Sequence, residues 1–202
     1  MAVYPVRNLN EKIRTCFKPA VAWNQIMKQS IQTAFRTGIE RRNVMEFKIV
    51  DLPRIAVIGK EGLCTAENHI VQKLWEEANS HFDEAAELGM KNPNGSYVGF
   101  WGAMSDESRS FLPWTEQFTR GLYLAGIETY EDAVPPEGWT KWILPARRYL
   151  VVDVEPENYQ DVFEEVIQVV IPENEMKLSG AVCDFTDPFT GKNQLFFPIK
   201  HE

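Results

Sequence analysis

The residues of this chain best suited to chemistry are aromatic. Trp101, Trp114, Trp139, Trp142, Phe118, Tyr123 and Tyr149 fall on expected central strands or on the 105–120 connection. Side chains alternate between the faces of a sheet, so residues 97–104 put Tyr97, Gly99, Trp101 and Ala103 on one parity. A glycine beside a tryptophan leaves space next to a flat ring, which suits stacking of a planar ligand. Helices can cover only one face of a sheet built from two strand-helix units, and the other face is expected to hold the groove. On that reading Trp101, Trp139, Trp142, Tyr123 and Phe118 line the ligand site. The competing reading has the tryptophans filling the core between sheet and helices.

A carboxylate near such rings changes the chemistry. Asp184 lies within Ala181-Val182-Cys183-Asp184-Phe185-Thr186. An acid amid apolar strand residues is unfavourable unless it is paired or faces a cavity. In an aromatic cavity it attracts cations together with the ring faces. With its pKa raised by desolvation it activates water as a general base, with Tyr123 as hydrogen-bond donor. The alternative is a solvent-facing residue near the Asp187-Pro188 turn. Glu61, Glu128 and Asp153 are expected to be solvated near strand ends.

Other chemistries find little support. There is no Gly-rich phosphate loop, Gly-x-Ser-x-Gly elbow or His-Glu zinc motif. Cys16, Cys64 and Cys183 lack metal-ligand spacing, as do His69, His81 and His201. Cys64 and His69 flank a helix start, where a nucleophilic pair competes with an ordinary small core residue. Neither metal nor cofactor is therefore expected. An enzyme built from these parts would be a metal-independent hydrolase of strained electrophilic small molecules, because strain relief supplies driving force that a weak base does not.

The elements that must position these residues are written twice. Lys48-Ile49-Val50-Asp51-Leu52-Pro53-Arg54 runs into Ile55–Gly59, and Lys141-Trp142-Ile143-Leu144-Pro145-Ala146-Arg147 runs into Tyr149–Val152. Each is an apolar extended run bent at a Leu-Pro pair. Each is followed by an amphipathic helix, predicted over 66–88 and 157–170, and then by two further apolar runs, predicted over 97–104 and 122–127 and over 180–186 and 193–199. Pro172 is expected to stop the second helix. The fold class is α+β, with duplicated strand-helix-strand-strand units over 46–130 and 139–200 and a groove between them. Glu131–Gly138, with its Pro135-Pro136 pair, reads as the linker.

At 202 residues, 44% hydrophobic and 25% charged, the chain has an ordinary globular balance. No apolar run reaches membrane-spanning length, and no secretory signal is evident. A cytoplasmic location with free thiols is expected, with no membrane partner and a monomer or homodimer as the assembly. The net charge of −8 is uneven: residues 1–45 carry eight Lys/Arg against two Glu, a net +6 that leaves −14 for the rest. This basic arm, with one helix predicted at 20–37, either docks on the acidic body or contacts an anionic partner. One helix is too little for a helix-turn-helix, so nucleic acid is not expected to bind without a partner.

The order of the segments Phe47–Pro53, Gly121–Glu128, Leu144–Val152 and Leu195–Ile199 resembles the GyrI-like small-molecule-binding family, which includes effector-binding domains of AraC-type and MerR-type regulators. The resemblance covers about residues 46–200. It implies an antiparallel sheet cupped around a ligand groove that binds bulky hydrophobic, often cationic or polyaromatic, compounds. Many relatives carry a Glu-x-Tyr pair on the strand corresponding to 181–186. Here Asp184 is the only acid in that stretch. Stand-alone members imply a second activity, hydrolysis of cyclopropane-bearing DNA-alkylating natural products. Three readings follow: a stand-alone binding module for sensing, sequestration or detoxification, a hydrolase, and an effector-binding transcription regulator.

Overall fold

The computed structural model describes residues 45–68 and 70–201. The basic arm up to residue 44, its predicted helix at 20–37 and His69 of the Cys64–His69 pair lie outside the described residues. Among the described residues nine strands form one antiparallel sheet: β1 (Lys48–Leu52), β2 (Ile55–Cys64), β3 (Phe100–Ser105), β4 (Gly121–Thr129), β5 (Thr140–Leu144), β6 (Arg147–Val154), β7 (Met176–Leu178), β8 (Cys183–Thr186) and β9 (Asn193–His201). Their order is β1-β6-β9-β8-β3-β4-β2-β5, with β7 added on β9.

That order is a palindrome of the two repeats. About the β8–β3 junction, β3, β4, β2 and β5 on one side correspond to β8, β9, β6 and β1 on the other. The expected duplication is therefore present, with one difference: the first strand of each unit pairs in the other unit, β1 with β6 and β5 with β2. Both bends are prolines, which lack a ladder donor and fall where pairing is interrupted. Leu52 opposes Arg147 before the bend and Ile55 opposes Leu144 after it, so a single register runs past both prolines.

The helices lie on one side of the sheet. The first run comprises α1 (Ile70–Ser80), α2 (Phe82–Ala85) and a 3₁₀ turn at Ala86–Leu88. The pattern predicted one helix over 66–88; it breaks at His81, whose backbone leaves the helical region. Leu74, Trp75 and Ala78 of α1 are buried, and full burial of a large apolar side chain contributes about 1.5–3 kcal/mol. The second run is α4 (Tyr159–Glu165), a π turn at Val166–Val170 and α5 (Ile171–Glu173); α3 (Thr115–Phe118) lies between the runs in sequence. Pro172 does not stop the second run where predicted. It sits in the first turn of α5, where its missing N–H is tolerated, and the wider π turn precedes it. Strand β7 has no counterpart in the sequence reading, because three residues are too few for a period.

The described residues form three apolar clusters. One lies under α1 and joins Trp75, Trp114 and Tyr123 to β2, β3 and β4. One lies under α4 and joins Phe163 and Val166 to β6 and β9. The third occupies the opposite face of the sheet and contains Trp101, Trp142, Tyr149 and Phe196. Among the described residues no helix is long and apolar enough to cross a membrane.

Candidate ligand cleft around Asp184

The two units meet where β8 pairs with β3 and Gly102 opposes Asp184. On the other side of β3, β4 carries Tyr123, two residues along from Ala125, the partner of Gly102. Asp184 and Tyr123 thus flank β3 and point to the helix side. The Tyr123 hydroxyl donates to Asp184 Oδ2 at 2.9 Å and accepts from Trp75 Nε1 at 3.0 Å. The Tyr159 hydroxyl, at the start of α4, donates to Asp184 Oδ1. One carboxylate therefore ties α1 of the first unit to α4 of the second.

Asp184 is half-buried on the strand, and desolvation raises its pKa from 3.8 to about 6 against the lowering effect of the Tyr159 and Tyr123 hydroxyls. Burial and the adjacent carboxylate push Tyr123 well above the ordinary phenol range. Tyr123 is therefore a neutral donor at physiological pH. Among the described residues no Lys, Arg or His pairs with Asp184, whose side-chain contacts are the two hydroxyls. A half-buried carboxylate in that state has the chemistry to receive a positive charge or to act as a base toward water.

Trp114, which meets the Tyr123 ring, is also a wall of a small apolar cavity between the units, lined further by Met104, Pro113, Phe118, Phe163, Ala181 and Val182. Its roof is the strap 106–120 that links β3 to β4. Trp114 donates its indole N–H to Leu122 O at 3.0 Å and meets the Tyr123 ring edge-on at 6.5 Å. Phe118 stacks edge-on against Phe163 of α4 at 5.8 Å. The strap is wound the wrong way: Glu116, Gln117 and Phe118 have φ of 51°, 58° and 65°, a left-handed turn that costs about 1–2 kcal/mol per residue. Its Phe111 carbonyl is pinned to the second unit by Ala181 N–H at 3.0 Å and Arg147 Nη1 at 2.9 Å.

The six residues expected to line one groove are divided. Phe118 lines the small cavity, and Asp184 and Tyr123 are hydrogen-bonded to each other on the helix side of the sheet. Trp101 and Trp142 lie on the opposite face, each 3% exposed. The expected open space beside Trp101 is filled, because the Phe185 ring lies over Gly99 and packs on Trp101 at 4.7 Å. Tyr97 precedes β3, so the strand parity does not reach it, and it packs with Phe82 instead. Trp139 sits at the rim of the first-unit cluster, with Lys60 Nζ 4.5 Å over its ring and Glu84 accepting its N–H at 2.7 Å.

Two glutamates expected in solvent are indole acceptors. Glu128 accepts from Trp101 at 2.8 Å and Glu61 from Trp142 at 2.6 Å. Burial raises the Glu128 pKa despite that hydrogen bond. Glu61 also holds Arg109 of the strap. The Cys64 thiol is buried and pushed up to about 12, which makes it a poor nucleophile. Trp75, Tyr159, Phe163 and Gly102 are the cleft residues that the sequence reading missed. Trp75, Tyr159 and Phe163 were hidden in apolar helical stripes, where a hydroxyl or indole N–H aimed at the sheet looks like any core aromatic.

No protein-family model and no curated protein sequence matches the chain. Solved structures do. SAV2435, solved with bound tetraphenylphosphonium, is 15% identical over 77% of this chain and 94% of that one, with a TM-score of 0.54. The integron cassette protein VCH_CASS2 from the mobile metagenome of Vibrio cholerae is 15% identical over 76% and 95%, with a TM-score of 0.50. The EcmrR C-terminal domain is 9% identical over 79% and 99%, at 0.53, and EcmrR in its DNA complex is 10% identical over 97% and 67%, at 0.57. The shared architecture is the GyrI-like fold expected from the order of the segments.

Proposed function

We propose that this GyrI-like chain binds a hydrophobic cationic small molecule in the cleft between α1 and α4. Asp184 supplies the counter-charge, Tyr123 and Tyr159 hold the carboxylate, and Trp114, Phe118 and Phe163 supply apolar walls. The observation that carries this reading is a half-buried carboxylate with no cationic partner among the described residues, linked through Tyr123 and Trp114 to an apolar cavity at the junction of the repeats. An aromatic cation regains at such a site the Coulomb and ring-face attraction that the empty cleft lacks. The tetraphenylphosphonium bound by SAV2435 is a ligand of this chemistry on a similar fold. Titration with tetraphenylphosphonium followed by tryptophan emission tests the reading, since Trp75 and Trp114 flank the cleft. Saturable quenching that Asp184→Asn reduces supports it; equal binding by both proteins overturns it.

Two observations favour narrower roles. A pKa of about 6 lets Asp184 take a proton from water near neutral pH, which fits the hydrolase reading, with a tyrosine hydroxyl donating to the leaving atom of a strained electrophile. Mass spectrometry of incubated cyclopropane-bearing compounds separates turnover from binding. The likeness to EcmrR, solved on DNA, fits an effector-binding role in transcription regulation. A salt-sensitive mobility shift tests that role.

A further inference from the structure

Gly102 is the residue of β3 over which the cleft network closes. It opposes Asp184 on one side and Ala125 on the other, between the strands that carry the carboxylate and the tyrosine. A Cβ at Gly102 would overlap the Tyr123 hydroxyl, lie 2.6 Å from Tyr123 Cζ and lie 2.8 Å from Asp184 Oδ2. All three are side-chain atoms of the cleft. Gly62 and Gly121 likewise spare side chains, of Ile70 and Leu74 and of Trp114, but neither separates a donor from the Asp184 carboxylate, and Gly59 and Gly126 differ in kind. A Cβ at Gly59 would strike the Ala125 carbonyl group, with its carbon at 2.7 Å, and one at Gly126 the Ile58 carbonyl group, with its carbon at 2.8 Å. Those two glycines serve strand packing, since the atoms they spare are backbone. Gly102 spares only the hydrogen bond from Tyr123 to Asp184.

Resting on the cleft reading above, we propose that Gly102 is a positioning residue: the missing side chain on β3 is what lets the Tyr123 hydroxyl reach Asp184 across the strand. The residue at this position sets how many donors the carboxylate keeps, and so the pH range in which the cleft holds a negative charge. Among the described residues the titratable groups facing Asp184 are Tyr123 from β4 and Tyr159 from α4. A methyl group at 102 displaces the first and leaves the second. Asp184 then loses one of the two donors that favour its ionised form.

The test is the ¹³C titration of the Asp184 carboxyl by NMR in the wild-type chain, Gly102→Ala, Tyr123→Phe and the double variant, with tetraphenylphosphonium affinity measured across the same pH range. A hydrogen bond to a charged group corresponds to about one to two pH units of midpoint. Gly102→Ala is expected to raise the midpoint by about that amount, Tyr123→Phe by a similar amount, and the double variant no further than either. An unmoved midpoint in folded Gly102→Ala, or additive shifts in the double variant, overturns the proposal. If Gly102→Ala does not fold, Tyr123→Leu is added to remove the ring that the methyl strikes. Restored folding supports the proposal and unrestored folding overturns it. The carboxyl titration needs no ligand, so failure of tetraphenylphosphonium to bind the wild-type chain counts against the cleft reading and leaves the Gly102 result standing.

Discussion

Replacing Asp184 with asparagine should change how stability depends on pH, and the structure fixes the sign. The carboxyl titrates near 3.8 when exposed and near 6 in the fold, chiefly because burial penalises its charge. Between about pH 4 and 6 the folded chain keeps a proton that the unfolded chain has lost. Stability therefore falls as pH rises through that window, and the full cost is present above it. A shift of about two pH units corresponds to ~3 kcal/mol. Asparagine has no charge to bury and escapes this loss, whatever fixed cost its altered hydrogen bonds carry. The stability of Asp184→Asn relative to wild type should rise by ~3 kcal/mol between pH 4 and pH 7, or roughly 6–12 °C in Tm for a chain of this size. Paired denaturant melts at the two pH values measure the double difference, in which the fixed cost cancels. Parallel pH–stability curves for the two proteins would refute a desolvated carboxylate at 184 and remove the physical basis for cation capture there.

Other outcomes are expected from the same geometry. Tetraphenylphosphonium affinity should be flat above about pH 6 and weaken about tenfold per pH unit well below it, as protonation of Asp184 removes the counter-charge; a pH-independent affinity argues for a ligand held by rings alone. Trp101→Ala and Trp142→Ala should each cost about 3–5 kcal/mol of stability, the usual range for a buried large aromatic, and folded variants should bind the cation as before, measured by denaturant melts and ligand titration. Tyr159→Phe should raise the Asp184 midpoint, because it removes a donor to the ionised form, and carboxyl NMR reads that directly. A chain starting at Met45 should fold and retain the cation affinity of the full sequence in the same titration, since Asp184, both tyrosines and the apolar walls lie within residues 45–201.

The repeat was legible because it is written in local chemistry: two Leu-Pro bends in apolar runs, two helical stripes, two pairs of closing strands. Asp184 stood out in the sequence too, as an acid within an apolar strand run. The assignment of faces was not legible. A period of two says that Trp101 and Gly102 point oppositely, yet it does not say which of them faces the helices. That depends on how α1 and α4 pack, which is decided by Trp75, Tyr159 and Phe163 together. The cleft therefore lies on the helix side, on the parity of Gly102 and Met104. The tryptophans that looked like a stacking platform turn their indole N–H groups to Glu128 and Glu61 and pack as core. The left-handed turn at 116–118 was invisible for another reason: glutamate, glutamine and phenylalanine carry no signal for positive φ, and surrounding contacts impose it.

The crossing of β1 and β5 between the repeats has a consequence for how this chain is assembled. Each half lends its first strand to the other, as two proteins do when they exchange an element, except that the exchange happens inside one polypeptide. Neither half alone can complete its ladder, so fragments cut at the 131–138 linker should be poorly folded apart and should recover structure when mixed. Pairing Lys48 with Val151 must await synthesis of most of the chain, and such distant contacts slow folding. At high protein concentration the same linker offers an alternative closure, in which the strand comes from a second molecule, and a dimer formed in that way would contain two complete copies of the cleft.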